Sequence, residues 1–490
     1  MKDLHVENVV TIIGGGLAGS EAAWQLAERG VTVRLYEMRP MQQTPIHTGG
    51  NLAELVCSNS LKSLDPTSAS GSLKYELSIL GSQLLRCALE TRVAAGSALA
   101  VDREAFSRLV TDSLMAHDNI KLIRSEFSDL SLLIEEQVSC IIATGPLTSQ
   151  ALESELTGLL GQEYLAFFDA AAPIVEADSL DTERLFYQSR YDKSGADYLN
   201  AALSREEYGR LVEELVSARR VIPKEFEGSE LFAACQPIEE LARKGQDTLR
   251  HGALKPVGLV DPHTGRQPFA VVQLRPENDQ AMAYNLVGFQ TNLVFSEQER
   301  VFRLIPGLEH AVFARYGVMH RNTFIDTPRT LDRGFALPSH PFIRFAGQIT
   351  GTEGYVEAIG SGLLAALNCY AQLQRSNAGP NNGGPGSGGP GAESGSAEPG
   401  SEELGAVPII LPQETVSGSL FAYATDPAVI NYQPMHVNYG IIKALDEPRR
   451  RKLERHAAYS RRSRAAIEAF REQNSFLSFL PSYTVPFLLP

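Results

Sequence analysis

The apolar and polar positions at the start of the chain follow the order strand, helix, strand. Residues 9–13 form a β-branched apolar run, which is typical of a parallel strand buried on both faces. Residues 18–29 have the pattern of a helix, which Gly30 ends, and residues 31–36 are predicted to form a second strand. This order predicts an α/β fold with a parallel sheet near the N-terminus.

Glycines after the first predicted strand have the spacing of a dinucleotide-binding turn. Gly14, Gly16 and Gly19 follow the pattern G-x-G-x-x-G, with Gly15 inside the turn. Glycines at these positions allow a tight turn, a close approach of the backbone to a pyrophosphate and close packing of the helix on its strand. Glu37 ends the second predicted strand about 20 residues later, where an acid accepts the ribose hydroxyls. These five residues therefore predict a dinucleotide site.

Later segments favour FAD as the dinucleotide. Residues 140–146 have the pattern of a strand running into Ala-Thr-Gly, so Thr144 and Gly145 are expected at the cofactor. Residues 344–348 lead into a second glycine-rich turn and helix at 351–362, whose N-terminus is expected to face the flavin. The cofactor residues expected from this unit are Gly347, Gln348, Gly351 and Gly354. The layout resembles the Rossmann-like FAD-binding domain of glutathione-reductase type. Since no second G-x-G-x-x-G stands between a predicted strand and a predicted helix, a nicotinamide donor is expected to bind without its own Rossmann domain.

The middle of the chain lacks this pattern of strand, glycine-rich turn and helix, and it is predicted to be an inserted α+β domain. Residues 203–219 have a helical pattern, whereas residues 268–274 and 284–290 have the pattern of strands. The predicted division is a FAD-binding domain at 1–182 and 326–490, with the insertion at 183–325. Residues 376–404 are rich in Gly, Pro, Ser and Asn, and they are predicted to form a disordered loop because they can bury little apolar surface.

Length and composition favour a cytoplasmic enzyme. A chain of 490 residues is long enough for more than one domain. Neither a signal peptide nor an apolar run long enough to cross a membrane is visible. The five cysteines show no C-x-x-C spacing, which argues against a disulfide framework, a zinc site and a dithiol redox pair.

The charge distribution leaves nucleic-acid binding open. The net charge is −14, yet residues 448–464 contain eight Arg or Lys and one Glu on a predicted helix. Such a segment is either a solvated helix face or a phosphate-binding surface.

The cysteines fall into two groups. Cys87, Cys140 and Cys369 lie in apolar helix or strand patterns, which favours packing roles. Cys57 is followed by polar residues and Lys62. Cys235 stands just before Pro237 and a predicted helix start, with Arg243, Lys244 and Arg250 beyond it. Because nearby cations and helix N-termini lower a thiol pKa, Cys57 and Cys235 are the candidates for chemistry.

Several motifs together resemble the folate- and FAD-dependent tRNA uracil-5-methyltransferases, the TrmFO family. They are G-G-G-L-A-G-S-E-A-A-W-Q-L-A at 14–27, E-M-R-P at 37–40, L-V-C-S-N-S-L at 55–61, C-Q-P-I-E-E-L-A at 235–242, G-Q-I-T-G-T-E-G-Y-V-E at 347–357 and N-Y-Q-P-M at 431–435. The likeness extends along nearly the whole chain. The two cysteine motifs are specific, whereas the glycine motif is shared with many flavoproteins, including the related GidA family.

The resemblance implies methylation of the T-loop uridine of tRNA. The carbon would come from 5,10-methylenetetrahydrofolate, and the electrons from NADH or NADPH through FAD. The nucleophilic cysteine of the family falls on Cys235, its flavin-side cysteine on Cys57, and a tyrosine near the flavin and folate rings on Tyr355. These roles suit the chemistry, because a thiolate that adds to carbon 6 of uracil makes carbon 5 nucleophilic. Cations such as Arg449, Arg450 and Arg451 could hold tRNA phosphates.

Other functions remain open at this point. The same chemistry could act on ribosomal RNA, or the protein could carry out a GidA-like modification of tRNA. A small-molecule FAD oxidoreductase that uses Cys57 and a non-catalytic FAD-binding scaffold are the remaining alternatives. The sequence does not distinguish NADH from NADPH, and it gives no oligomeric state.

Overall fold

The computed structural model describes most of the chain. The described residues are 8–44, 47–56, 58–161, 164–170, 172–190, 197–221, 236–277, 281–317, 319–378, 408–430, 432–447, 449–474 and 477. The two candidate thiol residues, Cys57 and Cys235, lie outside these ranges, as does the low-complexity segment from residue 379 onwards.

The elements are numbered in chain order within the described ranges. The strands β1–β17 are Val9–Ile13, Thr32–Tyr36, Ser60–Ser63, Arg92–Val93, Ala98–Val101, Ile120–Ile123, Cys140–Ile142, Tyr164–Ala170, Ile174–Glu176, Leu185–Tyr187, Leu199–Leu203, Ala270–Pro276, Ala283–Leu286, Phe313–Arg315, Met319–Ile325, Ala336–Leu337 and His340–Phe345. The helices α1–α14 are Leu17–Ala27, Ala69–Ile79, Gln83–Glu90, Arg103–Met115, Leu130–Glu135, Gln150–Leu160, Arg205–Ser217, Ile238–Arg243, Thr248–His251, Phe295–Phe302, Thr327–Thr330, Tyr355–Ala378, Val416–Thr425 and Lys452–Gln473.

The first sheet is of the Rossmann type and confirms the predicted α/β class. Its described strands lie in the order β16-β17-β7-β1-β2-β6, and all pairs are parallel except that of β16 with β17. Ile12 pairs with Leu35 on one side and Ile141 on the other, and all three side chains are fully buried. The chain moves outward from β1 through β2 to β6 and then returns to β7 on the opposite side of β1. This reversal creates a crevice at the carboxyl ends of β1 and β7, where such folds bind ligands.

A second sheet has its own apolar core. Its described strands are all antiparallel, in the order β10-β11-β12-β13-β9-β14. The predicted helix at 203–219 is observed as α7, and the strand predicted at 268–274 as β12. The strand predicted at 284–290 was too long, because β13 ends at Leu286 and the chain turns at Gly288, where φ is +81°.

The two sheets are joined by β8 and β15, which pair with each other as antiparallel strands. Strand β9 belongs to the second sheet although it precedes residue 183, the predicted start of the insertion.

We keep the division into a FAD-binding domain at 1–182 and 326–490 and an insertion at 183–325 as a proposal. A smaller antiparallel sheet has the order β3-β5-β4, and its strand β3 begins at Ser60.

Helix α12 returns the chain to the first sheet and packs against α1. The contact is close, since a Cβ at Gly362 would lie 2.2 Å from the carbonyl oxygen of Ala18. The helix continues through Ala378, so residues 376–378, which were predicted to belong to a disordered loop, are helical. Good helix-forming residues such as Gln372 and Arg375 precede the first Gly-Pro pair and extend the helix to that point.

Three cysteines have the packing roles that the sequence predicts. Cys87 in α3, Cys140 in β7 and Cys369 in α12 are buried free thiols, and burial raises the pKa of each. Among the described helices, none combines the length and the apolar character that crossing a bilayer requires.

Candidate active site

A large cleft opens at the carboxyl ends of β1 and β7. Its empty volume is about 1750 Å³, open mouth included. The three glycine-containing segments predicted to bind a cofactor meet in its wall. The expected site residues that line it are Gly14, Gly16, Glu37, Thr144, Gly145, Gly347, Gln348, Gly354 and Tyr355. Three strand ends and the N-termini of α1 and α12 therefore converge on one space.

The first turn has the geometry that the glycine spacing predicts. Gly14 has a φ of +103°, and a Cβ there would lie 2.5 Å from the carbonyl oxygen of Ala143. A Cβ at Gly19 would lie 1.9 Å from the carbonyl oxygen of Gly14, so this glycine permits the close contact between α1 and the turn. A Cβ at Gly16 would meet no atom within 4 Å, which leaves the helix N-terminus open towards the cleft. This arrangement suits an anionic ligand.

Glu37 is held by protein donors at the cleft wall. Its Oε2 accepts from the backbone N–H of Gly15 at 3.0 Å, and the guanidinium and backbone N–H of Arg39 donate to both of its oxygens at 2.9–3.1 Å. Burial opposes ionisation, but these donors hold the pKa of Glu37 below its usual range. Since a carboxylate offers about four acceptor positions, a ribose hydroxyl would have to share or displace one of these bonds.

Arg39 was not anticipated as part of the site. Its buried guanidinium bridges two acids, because Nη1 also donates to Oε2 of Glu54 at 2.9 Å. The sequence signal for Arg39 is its position two residues after Glu37, the acid that directly follows β2.

The N-terminus of α12 forms the opposite wall. The hydroxyl oxygen of Tyr355 accepts from the backbone N–H of Ser58 at 3.0 Å. Glu357 is 1% exposed, and its Oε1 accepts from Lys62 Nζ at 3.1 Å. The charge of Lys62, expected beside the Cys57 thiol, is therefore paired with a carboxylate on α12. Gly351 does not line the cleft. A Cβ at Gly351 would lie 2.4 Å from the hydroxyl oxygen of Tyr432.

A buried lysine lies behind this wall. Lys74 of α2 has no exposed surface, and its Nζ donates to the carbonyl oxygen of Ser63 at 3.0 Å and to Oγ of Ser70 at 2.7 Å. Burial lowers the pKa of Lys74 to about 7, although the Glu357 carboxylate opposes the shift. No sequence pattern distinguished this lysine.

Residues near the two candidate thiols in sequence either line the cleft or form a hydrogen bond with a residue that lines it. Val56 and Ser58, on either side of residue 57, both line the cleft. Beyond residue 235, the backbone N–H of Ile238 donates to the carbonyl oxygen of Gln290 at 2.7 Å, and Gln290 lines the cleft. The predicted helix start after Pro237 is confirmed, since α8 begins at Ile238.

The cations that follow Cys235 have other partners. Arg243 donates to the carbonyl oxygen of Val216 at 2.6 Å, Lys244 to the side chain of Gln236, and Arg250 to the carbonyl oxygen of Phe269 at 3.0 Å. These contacts fix α8 and α9 in the second core. The expectation that the three charges would lower a thiol pKa therefore gains no support from their positions.

The basic segment differs from the predicted helix in its boundary. Helix α14 begins at Lys452, so Arg449 and Arg450 precede it and Arg451 is its N-cap residue. Further along α14, Arg462 donates to the carbonyl oxygen of Ala444 at 2.7 Å and Arg471 to that of Ile79 at 2.7 Å, so both help to dock the helix. Of the eight cations in residues 448–464, Arg462 therefore has a docking role.

The fold and cleft match known proteins. The family described as glucose inhibited division protein A, GidA, matches residues 9–377. Methylenetetrahydrofolate--tRNA-(uracil-5-)-methyltransferase TrmFO of Heliobacterium modesticaldum is 48% identical over 465 residues, which cover 95% of this chain and 98% of that protein. The chain belongs to the TrmFO family. The protein of the same name from Lysinibacillus sphaericus is 47% identical over 464 residues, covering 95% and 98%.

A solved structure shows the same fold as this TrmFO family member. GidA of Aquifex aeolicus, in its form II crystal, matches 98% of this chain and 75% of its own with a TM-score of 0.65 at 15% identity. The family resemblance inferred from the sequence motifs is confirmed by these comparisons.

Proposed function

We propose that this protein forms 5-methyluridine in the T loop of tRNA, with 5,10-methylenetetrahydrofolate as carbon donor and NAD(P)H as reductant through FAD. The observation that carries the proposal is the 48% identity, over 95% of this chain, to a protein named for methylenetetrahydrofolate and tRNA uracil-5 methylation. Because tRNA is the proposed substrate, we also propose a cytoplasmic location.

The cleft suits FAD. Gly14, Gly15 and Gly16 would hold the pyrophosphate, and the open space beside Gly16 leaves room for it. The Glu37 carboxylate would accept a hydrogen bond from a ribose hydroxyl while it also accepts from Arg39. The residues proposed to surround the rest of the FAD molecule are Thr144, Gly145, Gly347, Gln348, Gly354 and Tyr355. Gly19 and Gly351 would support the turns that carry these residues. When bound, FAD supplies a two-electron carrier between the nicotinamide and the one-carbon unit.

The overall reaction requires both a carbon donor and a hydride. Methylenetetrahydrofolate, the uridine, NAD(P)H and a proton yield 5-methyluridine, tetrahydrofolate and NAD(P)⁺. We propose that the Sγ of Cys235 adds to carbon 6 of the uracil, which makes carbon 5 nucleophilic. After carbon 5 has bonded to the methylene carbon, the proton on carbon 5 leaves and the bond between the methylene carbon and its carrier breaks. A hydride that originates from NAD(P)H then reduces the methylene to methyl as the bond between Sγ and carbon 6 breaks, which frees the Cys235 thiolate.

We propose that Cys57 acts on the flavin side of the site. Support comes from its neighbours, since Val56 and Ser58 line the cleft and Ser58 is bonded to Tyr355. A thiol there could shield the reacting carbon from water or transfer a proton.

The protein should convert an unmodified tRNA transcript when supplied with methylenetetrahydrofolate and NADPH. Mass spectrometry of the digested RNA should detect 5-methyluridine at the T-loop position without S-adenosylmethionine. A reaction lacking folate is the control. Product in a ribosomal RNA fragment but not in tRNA would contradict the proposed substrate while keeping the chemistry. A FAD-loaded protein without product on either RNA would contradict the proposed activity.

Replacing Arg449, Arg450 and Arg451 by Ala should weaken tRNA binding and reduce its salt dependence. The three residues are exposed and immediately precede the first residue of α14. The pairs of Arg449 with Glu447 at 3.0 Å and of Arg451 with Glu454 at 3.5 Å are exposed and weak. The slope of log affinity against log salt should fall by about 1 per lost phosphate contact. Filter binding between low and moderate salt measures this slope. Arg108→Ala, an exposed arginine on α4, is the matched control, and an unchanged slope in the triple variant would exclude phosphate contacts by this segment.

A further inference from the structure

The segment that carries residue 57 is held by an arginine from the second sheet. Arg275 lies on β12, where its Nε donates to Oδ1 of Asn59 at 2.7 Å and its Nη2 donates to Oγ of Ser58 at 2.8 Å. Its residue surface is only 6% exposed. One rigid guanidinium therefore fixes two consecutive residues immediately after residue 57.

A second arginine, Arg103, contacts the chain before residue 57 and also pairs with the residue that follows β12. Arg103 donates from Nη1 to the carbonyl oxygen of Leu55 at 2.8 Å, two residues before residue 57. Its guanidinium also pairs with the carboxylate of Glu277, the residue that follows β12. Leu55 on one side of residue 57, and Ser58 and Asn59 on the other, are thus each linked to residues at the end of β12.

Asn59 closes this arrangement. It is fully buried, and its Nδ2 donates to the carbonyl oxygens of Val101 at 3.1 Å and Pro276 at 3.0 Å. One amide therefore joins the smaller sheet, through β5, to the second sheet, through β12. A guanidinium buried in this way is stable only while its donors keep their partners, so displacement of Ser58 and Asn59 is costly.

We infer that Arg275 is a positioning residue for the Cys57 thiol, acting through Ser58 and Asn59. Ser58 also donates its backbone N–H to Tyr355, so the same anchor sets the segment against the N-terminus of α12. The inference rests on the proposed function and adds that the second sheet helps to build the flavin side of the site. Burial lowers the pKa of Arg275, whereas Glu277 opposes the shift. Lysine cannot replace this guanidinium without loss, because only a planar fork reaches both acceptors.

The test compares Arg275→Lys with Arg266→Lys, an exposed residue on the turn before β12. Bound FAD, thermal stability and the alkylation rates of individual cysteines are measured across pH by peptide mass spectrometry. We expect Arg275→Lys to retain FAD, to lose about tenfold in kcat with little change in KM for tRNA, and to shift the alkylation profile of Cys57. Alkylation of Cys235 in the same molecule should not change. Arg266→Lys should match the unaltered protein.

A second variant keeps the inference testable if Arg275→Lys folds poorly. Ser58→Ala removes one acceptor without removing a charge, and it should shift the Cys57 profile in the same direction. In the double variant the effects should be less than additive, because both substitutions break the same contact. An unchanged Cys57 profile in either folded variant, or fully additive effects, would overturn the inference. Alkylation requires no methyl transfer, so a failure of the proposed function is distinguishable from a failure of this positioning role.

Discussion

Cys235→Ala is expected to abolish 5-methyluridine formation while the protein keeps its FAD. Carbon 5 of uracil is too weak a nucleophile to attack the one-carbon unit unless a thiolate has added to carbon 6. The loss in kcat should be at least about a thousandfold, as expected when a covalent nucleophile is removed. Mass spectrometry of the tRNA product and the flavin absorbance of the purified variant measure the two quantities separately.

A trapped adduct gives an independent readout for Cys235. When the target uridine carries fluorine at carbon 5, no proton can leave that carbon, so the sulfur–carbon bond should persist. The unaltered protein should then form an adduct with tRNA that survives denaturation, whereas Cys235→Ala should not. Cys87→Ala, which removes a buried thiol of α3, is the matched control and should retain both product and adduct. Product formed by Cys235→Ala would refute the assignment of the nucleophile.

Gly19→Ala is expected to disrupt the dinucleotide turn and to release FAD. Its Cβ would lie 1.9 Å from the carbonyl oxygen of Gly14 and 3.3 Å from Cβ of Ala143, so α1 would have to move away from the turn. Overpacking of this kind costs about 1–3 kcal/mol, and here the obstructing atom is backbone. We therefore expect both a lower melting temperature and a loss of bound flavin, measured by thermal unfolding and by the flavin-to-protein absorbance ratio.

Gly16→Ala separates ligand binding from folding. Because a Cβ at Gly16 meets no protein atom within 4 Å, this variant should fold with an unchanged melting temperature. Its methyl group would occupy the space proposed for the pyrophosphate, so FAD affinity should fall. A Gly16→Ala protein with full FAD affinity would show that the pyrophosphate does not approach this residue. A Gly19→Ala protein with normal stability would contradict the packing argument.

Several features followed from the sequence because they depend on neighbouring residues. Apolar runs predicted β1, β7 and α7, and the glycine spacing predicted a turn between β1 and α1. The packing roles of Cys87, Cys140 and Cys369 followed from the apolar patterns around them. These signals are local, because a window of about ten residues is enough to recognise a buried strand or a helical periodicity.

Charged side chains were predicted less well, because their partners are distant in sequence. The influence of Lys62 on the Cys57 thiol stays a prediction, whereas its partner Glu357, 295 positions away, was not predicted. Arg243 and Arg250 donate to backbone carbonyl oxygens, and Lys244 donates to the side chain of Gln236. A long flexible cation can reach many acceptors, and only the tertiary structure decides which one it meets.

The sequence by itself determined the α/β class, the glycine turn and the membership of a family that its motifs resemble. Only the tertiary structure brought Arg275 to Ser58 and Asn59, which are 217 and 216 positions away in sequence. It also placed the Arg39 guanidinium between the carboxylates of Glu37 and Glu54. The reason is physical. Local propensity and spacing specify elements, whereas buried polar contacts between elements exist only after the sheets have packed and excluded water from their donors and acceptors.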